Sequence, residues 1–223
     1  MLKDILKELN ADEMRKVFLK YTRMAFEMLP KMENPQILDI GCGSGIPTLE
    51  LAKLSDGEII GLDIDQSALN KFNVKIEKKG LSNRIKTFNR SVYNTKFPNG
   101  RFDLIWEEGV IHILNIKKVL KECNRILKKK GFFVSFETIK WVKNNLEIFP
   151  KLGFKLLDKF LLPEKAWWTE FYSPLENKIN ELRIKYKGSK DIMELEGYEK
   201  DIVMLKKNPK EFDCGFYIYQ KIE

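Results

Sequence analysis

The chain has 223 residues, of which 43% are hydrophobic and 32% are charged, and its formal net charge is +8. This length suits one α/β domain with additions, and no apolar run approaches the roughly eighteen residues that a membrane-spanning helix needs, so we expect no membrane span. The positive charge suggests nucleic-acid binding, but lysine outnumbers arginine 33 to 7 and is spread along predicted helix faces, which favours a solvated lysine-rich surface.

The hydrophobic pattern predicts alternating strands and helices over most of the chain. Two amphipathic helices, over residues 2–9 and 12–28, form an N-terminal helical cap within residues 1–30. Strands are then predicted over 37–40, 59–63, 85–88, 102–106 and 132–137, with helices over 46–54, 66–79 and 116–128. Because right-handed crossovers place helices on both faces, this alternation requires a parallel sheet.

The last third of the chain departs from this alternation. Its pattern predicts a helix over 141–152, a strand over 154–160, a charged and mostly helical segment over 163–207, and a final strand over 212–219. We find no internal repeat and no low-complexity linker, so we expect a single domain over residues 1–223.

The strongest functional signal is residues 37–45, which read Ile-Leu-Asp-Ile-Gly-Cys-Gly-Ser-Gly. A glycine-rich turn between a buried strand and a helix lets the backbone approach a nucleotide-like ligand closely. Dinucleotide sites use G-x-G-x-x-G, whereas Gly41, Gly43 and Gly45 alternate, and Asp39 precedes them. A carboxylate at this point would repel a pyrophosphate but attract a cation or an ammonium group.

With this spacing, residues 37–52 resemble the first motif of the class I S-adenosylmethionine-dependent methyltransferases, an acid-x-Gly-x-Gly-x-Gly run. The resemblance implies a Rossmann-like, doubly wound α/β fold, with a mostly parallel seven-stranded sheet and an antiparallel last strand. The family usually joins its last two strands by a short connection, whereas the pattern of this sequence predicts a helical insertion there, in addition to the N-terminal helices. It also implies S-adenosylmethionine as cofactor and S-adenosylhomocysteine as product. The cofactor's methionine end would be framed by Asp39, Gly41, Cys42, Gly43 and Gly45, with Cys42 as a packing residue rather than a nucleophile.

A second acid follows the second predicted strand, about twenty residues beyond the glycines, where a Rossmann-like unit places its ribose-binding carboxylate. Asp63 can accept two hydrogen bonds, which suits the cis-diol of a ribose, and a helix N-cap is the alternative for an acid at this position. The resemblance implies further cofactor contacts: Ile64, Ser91 and Val92 on the adenine side, Tyr21 and Thr22 near the methionine end, and Glu107 after the fourth strand.

The loop after the fourth predicted strand reads Trp106-Glu107-Glu108-Gly109-Val110-Ile111-His112 and resembles that of small-molecule methyltransferases. A thiol or a protonated amine must lose a proton before methylation, and a carboxylate or imidazole near the methyl group helps. Glu108 is a catalytic candidate that would bind a cationic acceptor, with a surface or capping acid as the alternative. His112 is a candidate base, with a partly buried structural histidine as the alternative.

The segment over 163–207 follows the sixth strand, which the resemblance makes parallel to the others. It therefore leaves the sheet at the edge where open α/β sheets bind ligands, and we expect it to act as a substrate lid. Its aromatic residues Trp167, Trp168 and Tyr172 are candidates for a substrate-binding wall through cation–π contact. The alternative is that these large side chains anchor the segment.

These features together predict a cytoplasmic enzyme that transfers a methyl group from S-adenosylmethionine to a small molecule. The alternatives are a nucleic-acid methyltransferase, a non-catalytic cofactor-binding protein and a nicotinamide dehydrogenase. Three widely separated cysteines and a single histidine predict reduced thiols and no metal site. Residues 1–10 alternate charges with leucines and show no signal-peptide pattern.

Overall fold

In the computed structural model, which describes residues 4–222, seven strands form one sheet. They are β1 (Gln36–Ile40), β2 (Glu58–Asp63), β3 (Ile85–Asn89), β4 (Phe102–Glu108), β5 (Leu127–Thr138), β6 (Phe154–Leu161) and β7 (Cys214–Lys221). Their order across the sheet is β3-β2-β1-β4-β5-β7-β6. Strands β1 to β5 pair in parallel, whereas β7 runs antiparallel to both β5 and β6. The predicted fold class is therefore confirmed.

Ten α-helices lie within the described residues 4–222. They are α1 (Asp4–Leu9), α2 (Ala11–Arg15), α3 (Leu19–Glu27), α4 (Ile46–Leu54), α5 (Gln66–Lys78), α6 (Ile116–Ile126), α7 (Ile139–Asn145), α8 (Ile148–Lys151), α9 (Ser173–Lys185) and α10 (Glu196–Lys207). The predicted start of the first helix at residue 2 lies outside the described residues. The predicted helix over 12–28 is divided, because a 3₁₀ turn at Lys16–Phe18 separates α2 from α3.

Two other predicted helices end early. The predicted helix over 141–152 is divided between α7 and α8, and the side-chain amide of Asn145 donates to the carbonyl of Trp141 at 2.8 Å where α7 ends. Helix α6 ends at Ile126, two residues before the predicted end, because Leu127 already pairs with Phe102 in the sheet. The lysines at 128–130 therefore belong to β5 and not to a helix end.

The chain divides by compactness into two units. One combines the described part of Met1–Lys20 with Leu162–Asp213 and holds α1, α2, α9 and α10, with Leu175 and Leu195 fully buried. The other combines Tyr21–Leu161 with the described part of Cys214–Glu223 and holds the sheet. Over residues 4–222, no helix has the length and apolar character that crossing a membrane requires. The single domain over 1–223 stays a prediction.

The predicted helical insertion consists of α9 and α10, preceded by a π-helical segment at Trp167–Tyr172 and joined by a 3₁₀ turn at Lys190–Leu195. A further 3₁₀ turn at Pro209–Phe212 delays the start of the last strand to Cys214, two residues after the predicted start. The last residue of β6, Leu161, pairs with Gly215 of β7, and Cys214 pairs with the last residue of β5. The insertion thus leaves and re-enters the sheet at its C-terminal edge, and the substrate lid stays a prediction.

Arg84 ties the connection between α4 and β2 to the start of β3. Its guanidinium group donates to three backbone carbonyls, with Nη1 3.0 Å from the oxygen of Ala52 and Nη2 3.1 Å from that of Gly57. The third acceptor is the carbonyl of Ser55. Because buried carbonyl groups need hydrogen-bond donors, the Arg84 side chain supplies the donors that this turn does not obtain from sheet or helix hydrogen bonds.

An ionic cluster on α6 fixes the chain between β3 and β4. Glu122 of α6 accepts hydrogen bonds from the hydroxyl and the backbone amide of Thr95, at 2.6 and 3.1 Å. Arg125 lies one turn later and donates to the same carboxylate at 2.6 Å. The Arg125 guanidinium, followed by the Thr95 hydrogen bonds, lowers the pKa of Glu122 to about 2.

Candidate functional site

The turn between β1 and α4 has three glycines with positive φ: +70° at Gly41, +50° at Gly43 and +81° at Gly45. A Cβ atom at Gly41 would lie 2.8 Å from Val110, and one at Gly45 would lie 2.1 Å from the ring of Phe72. A Cβ at Gly43 would meet nothing within 4 Å. Packing therefore explains two of the glycines, whereas Gly43 borders open space that a ligand can fill.

The turn is fixed by bonds from its own backbone. The amides of Gly41 and Cys42 both donate to the carbonyl of Leu62 in β2, at 2.7 and 3.2 Å. The Cys42 side chain is 3% exposed, and its Sγ would lie 2.8 Å from a Cβ placed on Gly61. Burial raises the pKa of this thiol, which makes it a poor nucleophile. These contacts support the predicted packing role of Cys42.

Asp39, at the end of β1, is 2% exposed. The hydroxyl of Thr48 in α4 donates to its Oδ2 at 2.5 Å. Burial, together with the negative charges of Glu108 and Asp63, raises the pKa of Asp39 to about 8 against the opposing hydrogen bond from Thr48. A cation placed beside this carboxyl group would favour its ionised form.

Asp63, at the end of β2, holds the glycine turn from the other side. Its Oδ2 accepts the amide hydrogen of Gly43 at 2.7 Å, and its Oδ1 accepts that of Asp65 at 2.9 Å. The helix N-cap is Asp65, whose Oδ1 accepts from the amides of Ser67 and Ala68 at 2.8 and 3.2 Å. The N-cap alternative for Asp63 is therefore wrong, and a carboxylate with about four lone-pair sites retains capacity for a ligand diol.

The residues assigned to the adenine side differ in exposure. The Ile64 side chain is 76% exposed directly beyond Asp63, although exposure of a large aliphatic group to water is unfavourable. Val92 is buried, and Ser91 accepts the amide hydrogen of Tyr93 at 3.3 Å. The hydroxyl of Tyr93 accepts the amide hydrogen of Asn115, the N-cap of α6, at 2.8 Å. Tyr93 thereby joins the loops that follow β3 and β4.

Glu108 ends β4 and connects it to α3. Its Oε1 accepts hydrogen bonds from the Thr22 hydroxyl at 2.9 Å and from the Trp106 indole at 2.8 Å. Thr22 is fully buried and Tyr21 is 6% exposed. Thr22, predicted as a cofactor contact, therefore orients the side chain of Glu108. The negative charge of Glu108 in turn contributes to the raised pKa of the Asp39 carboxyl group.

A buried polar cluster lies at the ends of β4 and β5, on the face opposite to Glu108. The Ser135 hydroxyl donates to Glu107, and the two residues pair across the strands. Glu137 lies two residues beyond Ser135 and bonds to His112, with its Oε1 3.1 Å from both the backbone amide and Nδ1 of that residue. Glu107 and Glu137 are 1% and 3% exposed, whereas the imidazole is 45% exposed.

Ser135 and Glu137 were not among the predicted site residues. The signal available was their position, because they are polar residues two apart within the apolar strand Phe-Phe-Val-Ser-Phe-Glu. The contact of Glu137 with His112 raises the pKa of the imidazole, through the hydrogen bond and the attraction of the carboxylate charge. A histidine oriented by a buried carboxylate is a common proton acceptor.

The aromatic residues of the insertion contact one another and the N-terminal helices of their own unit. Trp167 packs 4.4 Å from Phe18 between ring centroids and 5.9 Å from Tyr172, and Arg15 lies over its ring at 5.5 Å. Lys206 lies over Trp168 at 5.0 Å. These contacts support the anchoring alternative. Within residues 4–222, no group of three or more potential ligands is arranged to hold a metal ion.

Comparison with known proteins identifies residues 37–131 as a match to the family described as Methyltransferase domain. The chain is 31% identical over 106 residues to sterol 24-C-methyltransferase erg6 of Aspergillus fumigatus, which covers 47% of this chain and 28% of that protein. It is 34% identical over 139 residues to EEF1A lysine methyltransferase 2 of Homo sapiens, and this alignment covers 59% of this chain and 58% of that protein. The chain thus spans less than two thirds of the length of these curated relatives.

The fold is similar to that of the [4+2]-cyclase SpnF, with a TM-score of 0.74, 19% identity, and coverage of 91% of this chain and 81% of that one. At this identity the likeness concerns the fold alone. The matched residues 37–131 include the glycine turn, Asp63 and the loop after β4. Over residues 37–131 the chain is therefore similar to the members of the Methyltransferase domain family.

Proposed function

We propose that this protein transfers a methyl group from S-adenosylmethionine to a small-molecule acceptor. The observation that carries the proposal is the open space beside Gly43, which borders a turn held by Asp63 and preceded by Asp39. The matched family and the methyltransferase relatives support the activity.

The residues around the turn fit this cofactor in charge and shape. Asp39 would receive the ammonium group, because this cation would stabilise the ionised form of the carboxyl group against burial, which raises its pKa. Asp63 would accept the two ribose hydroxyls while it retains the amide of Gly43. The exposed Ile64 would cover one face of the adenine, so that ligand binding removes this apolar side chain from water.

When bound, S-adenosylmethionine supplies an electrophilic methyl group on its sulfonium. The chain's part is to position the acceptor and to receive its proton. We assign proton acceptance to Nε2 of His112, because Glu137 engages Nδ1 and thereby favours the tautomer whose Nε2 carries a lone pair. Glu108, oriented by Thr22 and Trp106, would attract an acceptor that carries positive charge.

Further parts of the proposal rest on the sequence and the chain path. The segment over 163–207 would act as a substrate lid, because it starts and ends at the C-terminal edge of the sheet. Trp167, Trp168 and Tyr172 would anchor it, and any role in a substrate wall would be secondary. A cytoplasmic location agrees with three free, buried cysteines.

The cofactor assignment is tested by calorimetry with S-adenosylhomocysteine. We expect Asp63→Asn to weaken binding of S-adenosylhomocysteine by about tenfold or more. The substitution removes one negative charge and replaces one of the two carboxylate oxygens that would accept hydrogen bonds from the ribose diol. Asp65→Asn is the matched control, because it removes an equal charge two residues away and leaves a good N-cap, and its affinity should equal that of the parent. Binding of NAD in place of S-adenosylhomocysteine would refute the proposal.

Turnover is tested separately, with S-adenosylhomocysteine release as the readout across a panel of sterols, amines, phenols and RNA. Methylation of a small molecule would support the proposal, and His112→Asn should slow it. Turnover on RNA alone, with steep salt dependence, would favour the nucleic-acid alternative. Cofactor binding without release on any acceptor would favour the non-catalytic alternative.

A further inference from the structure

Three consecutive backbone amides in the loop after β4 donate to two buried carboxyl groups. The amides of Val110 and Ile111 donate to Oε2 of Glu107 at 3.2 and 3.4 Å. The next amide, that of His112, donates to Oε1 of Glu137 at 3.1 Å. We infer that Glu107 is a positioning residue, whose carboxyl group fixes this loop so that the imidazole of His112 meets Glu137.

The arrangement follows from the register of the two strands. Glu107 pairs with Ser135 across β4 and β5, and Glu137 lies two residues further along β5. Because side chains alternate across a strand, Glu137 projects from the same face as Ser135, next to Glu107. The two carboxyl groups therefore line one face of the sheet edge, where they accept the amides of the loop that follows β4.

The Glu107 carboxyl group is linked at both of its oxygens. Oε1 is bonded to the Ser135 hydroxyl, while Oε2 receives the two loop amides. Without it, the amides of Val110 and Ile111 would lack these acceptors close to a buried sheet edge, which is unfavourable. The loop would then adopt another conformation, and the hydrogen bond between His112 and Glu137 would be lost because it requires the present one.

The surroundings of Glu107 disfavour a charge on its carboxyl group. Burial raises the pKa of Glu107 well above its usual range, and the charge of Glu137 raises it further. Because burial disfavours a charge at this position, a neutral side chain that keeps an acceptor in the same place can hold the two loop amides. Glutamine, which is neutral and of the same shape, should therefore replace Glu107 without moving the loop.

Other titratable groups face the pair from neighbouring elements within the described residues. Burial raises the pKa of Tyr217 on β7 to about 12, and it also raises the pKa of Tyr219 on the same strand. The pKa of the Cys123 thiol on α6 is likewise raised by burial. These three groups therefore stay neutral across the range in which a histidine titrates.

The single histidine of the chain makes a direct test practical, since every imidazole signal in an NMR titration belongs to His112. The titration is compared in the parent, Glu107→Gln, Glu107→Met and Glu137→Gln. We expect the parent pKa to lie above the ordinary value, and Glu137→Gln to lower it by about one pH unit, a tenfold change in proton affinity. Glu107→Met, which keeps the length but lacks acceptors, should lower it similarly, whereas Glu107→Gln should match the parent.

A Glu107→Met variant that folds and titrates like the parent would overturn the inference, because the loop would then hold its place without the carboxyl group. So would a Glu107→Gln variant that behaves like Glu137→Gln. If Glu107→Met does not fold, Glu107→Ser takes its place, since its shorter side chain cannot reach the two amides. Thermal melting of each variant checks the fold.

The kinetic meaning of the inference rests on the proposed function, but the titration does not. Loss of S-adenosylhomocysteine binding in the parent would refute the proposed function and leave the imidazole measurement intact. Binding with an altered imidazole in Glu107→Met would support both. Slower methyl transfer in Glu107→Met than in Glu107→Gln would match the titration.

Discussion

The substitution Gly43→Ala separates ligand binding from folding in the glycine turn. Gly43 has φ +50° and an added Cβ would meet nothing within 4 Å, so the folded protein should lose only the backbone term of about 1 to 2 kcal/mol. This is a minor part of a typical stability of about 5 to 15 kcal/mol. The new methyl group would occupy the space beside the turn, and we expect binding of S-adenosylhomocysteine to weaken by about tenfold or more, or ~1.4 kcal/mol.

Gly45→Ala is the matched comparison, because it has the same chemistry two residues away. Its Cβ would lie 2.1 Å from the Phe72 ring at φ +81°, so backbone strain and overpacking should together destabilise the fold by about 2 to 5 kcal/mol. Urea unfolding measures the stability of both variants, and calorimetry measures ligand affinity. We expect Gly43→Ala to be the stable, poorly binding variant and Gly45→Ala to be the unstable one.

The reasoning is refuted if Gly43→Ala binds S-adenosylhomocysteine as tightly as the parent, because the space beside Gly43 would then not hold the ligand. It also fails if the two variants lose equal stability, since the Phe72 contact would then have no effect.

Three further predictions concern stability. Burial raises the pKa of Asp39 to about 8, far above its unfolded value of about 3.9, so the folded protein holds an extra proton between these pH values and its stability falls as pH rises. Asp39→Asn should therefore make the pH dependence of the free energy of unfolding shallower by about 1.4 kcal/mol per pH unit in this range. Curves of unfolding free energy against pH that run parallel for the variant and the parent would contradict this. Glu122, whose pKa Arg125 lowers to about 2, stabilises the fold above pH about 4.5 and loses that effect toward pH 2. Acid titration followed by circular dichroism should therefore show a smaller loss of stability in Glu122→Gln than in the parent. An equal loss in both would mean that the bonds of Glu122 do not stabilise the fold. Arg84→Ala should lower the unfolding free energy by about 2 to 4 kcal/mol with ligand affinity retained, and a change below about 0.5 kcal/mol in urea would mean that water replaces its bonds.

The antiparallel last strand was predicted from the resemblance to a family, whereas local patterns were sufficient to predict the order of the strands along the chain, the parallel part of the sheet and the glycine turn. Each depends on neighbouring residues: the alternation of Gly41, Gly43 and Gly45, or a run of apolar residues that ends in an acid. Helix ends were less predictable, because pairing of Leu127 with Phe102 overrides the helical pattern through residue 128.

The polar contacts of the site could not be predicted, because they join residues far apart in sequence. Glu108 meets Thr22 across 86 positions, and Glu107 meets Ser135 across 28. These pairs depend on the register between strands and on the packing of α3, neither of which a single sequence specifies. For the same reason Thr22, expected at the cofactor, has its hydroxyl on Glu108, and the carboxylate beside His112 was missed.

The pairing of Leu161 with Gly215 has an evolutionary consequence. The last residue of β6 pairs with the second residue of β7, so the hydrogen bonds of the sheet hold the two ends of the connecting segment together whatever its length. Closing a longer connecting segment costs only about 0.6 kcal/mol for each doubling of its length. Insertions and deletions that accumulate between the two strands during evolution should therefore leave this pairing in place.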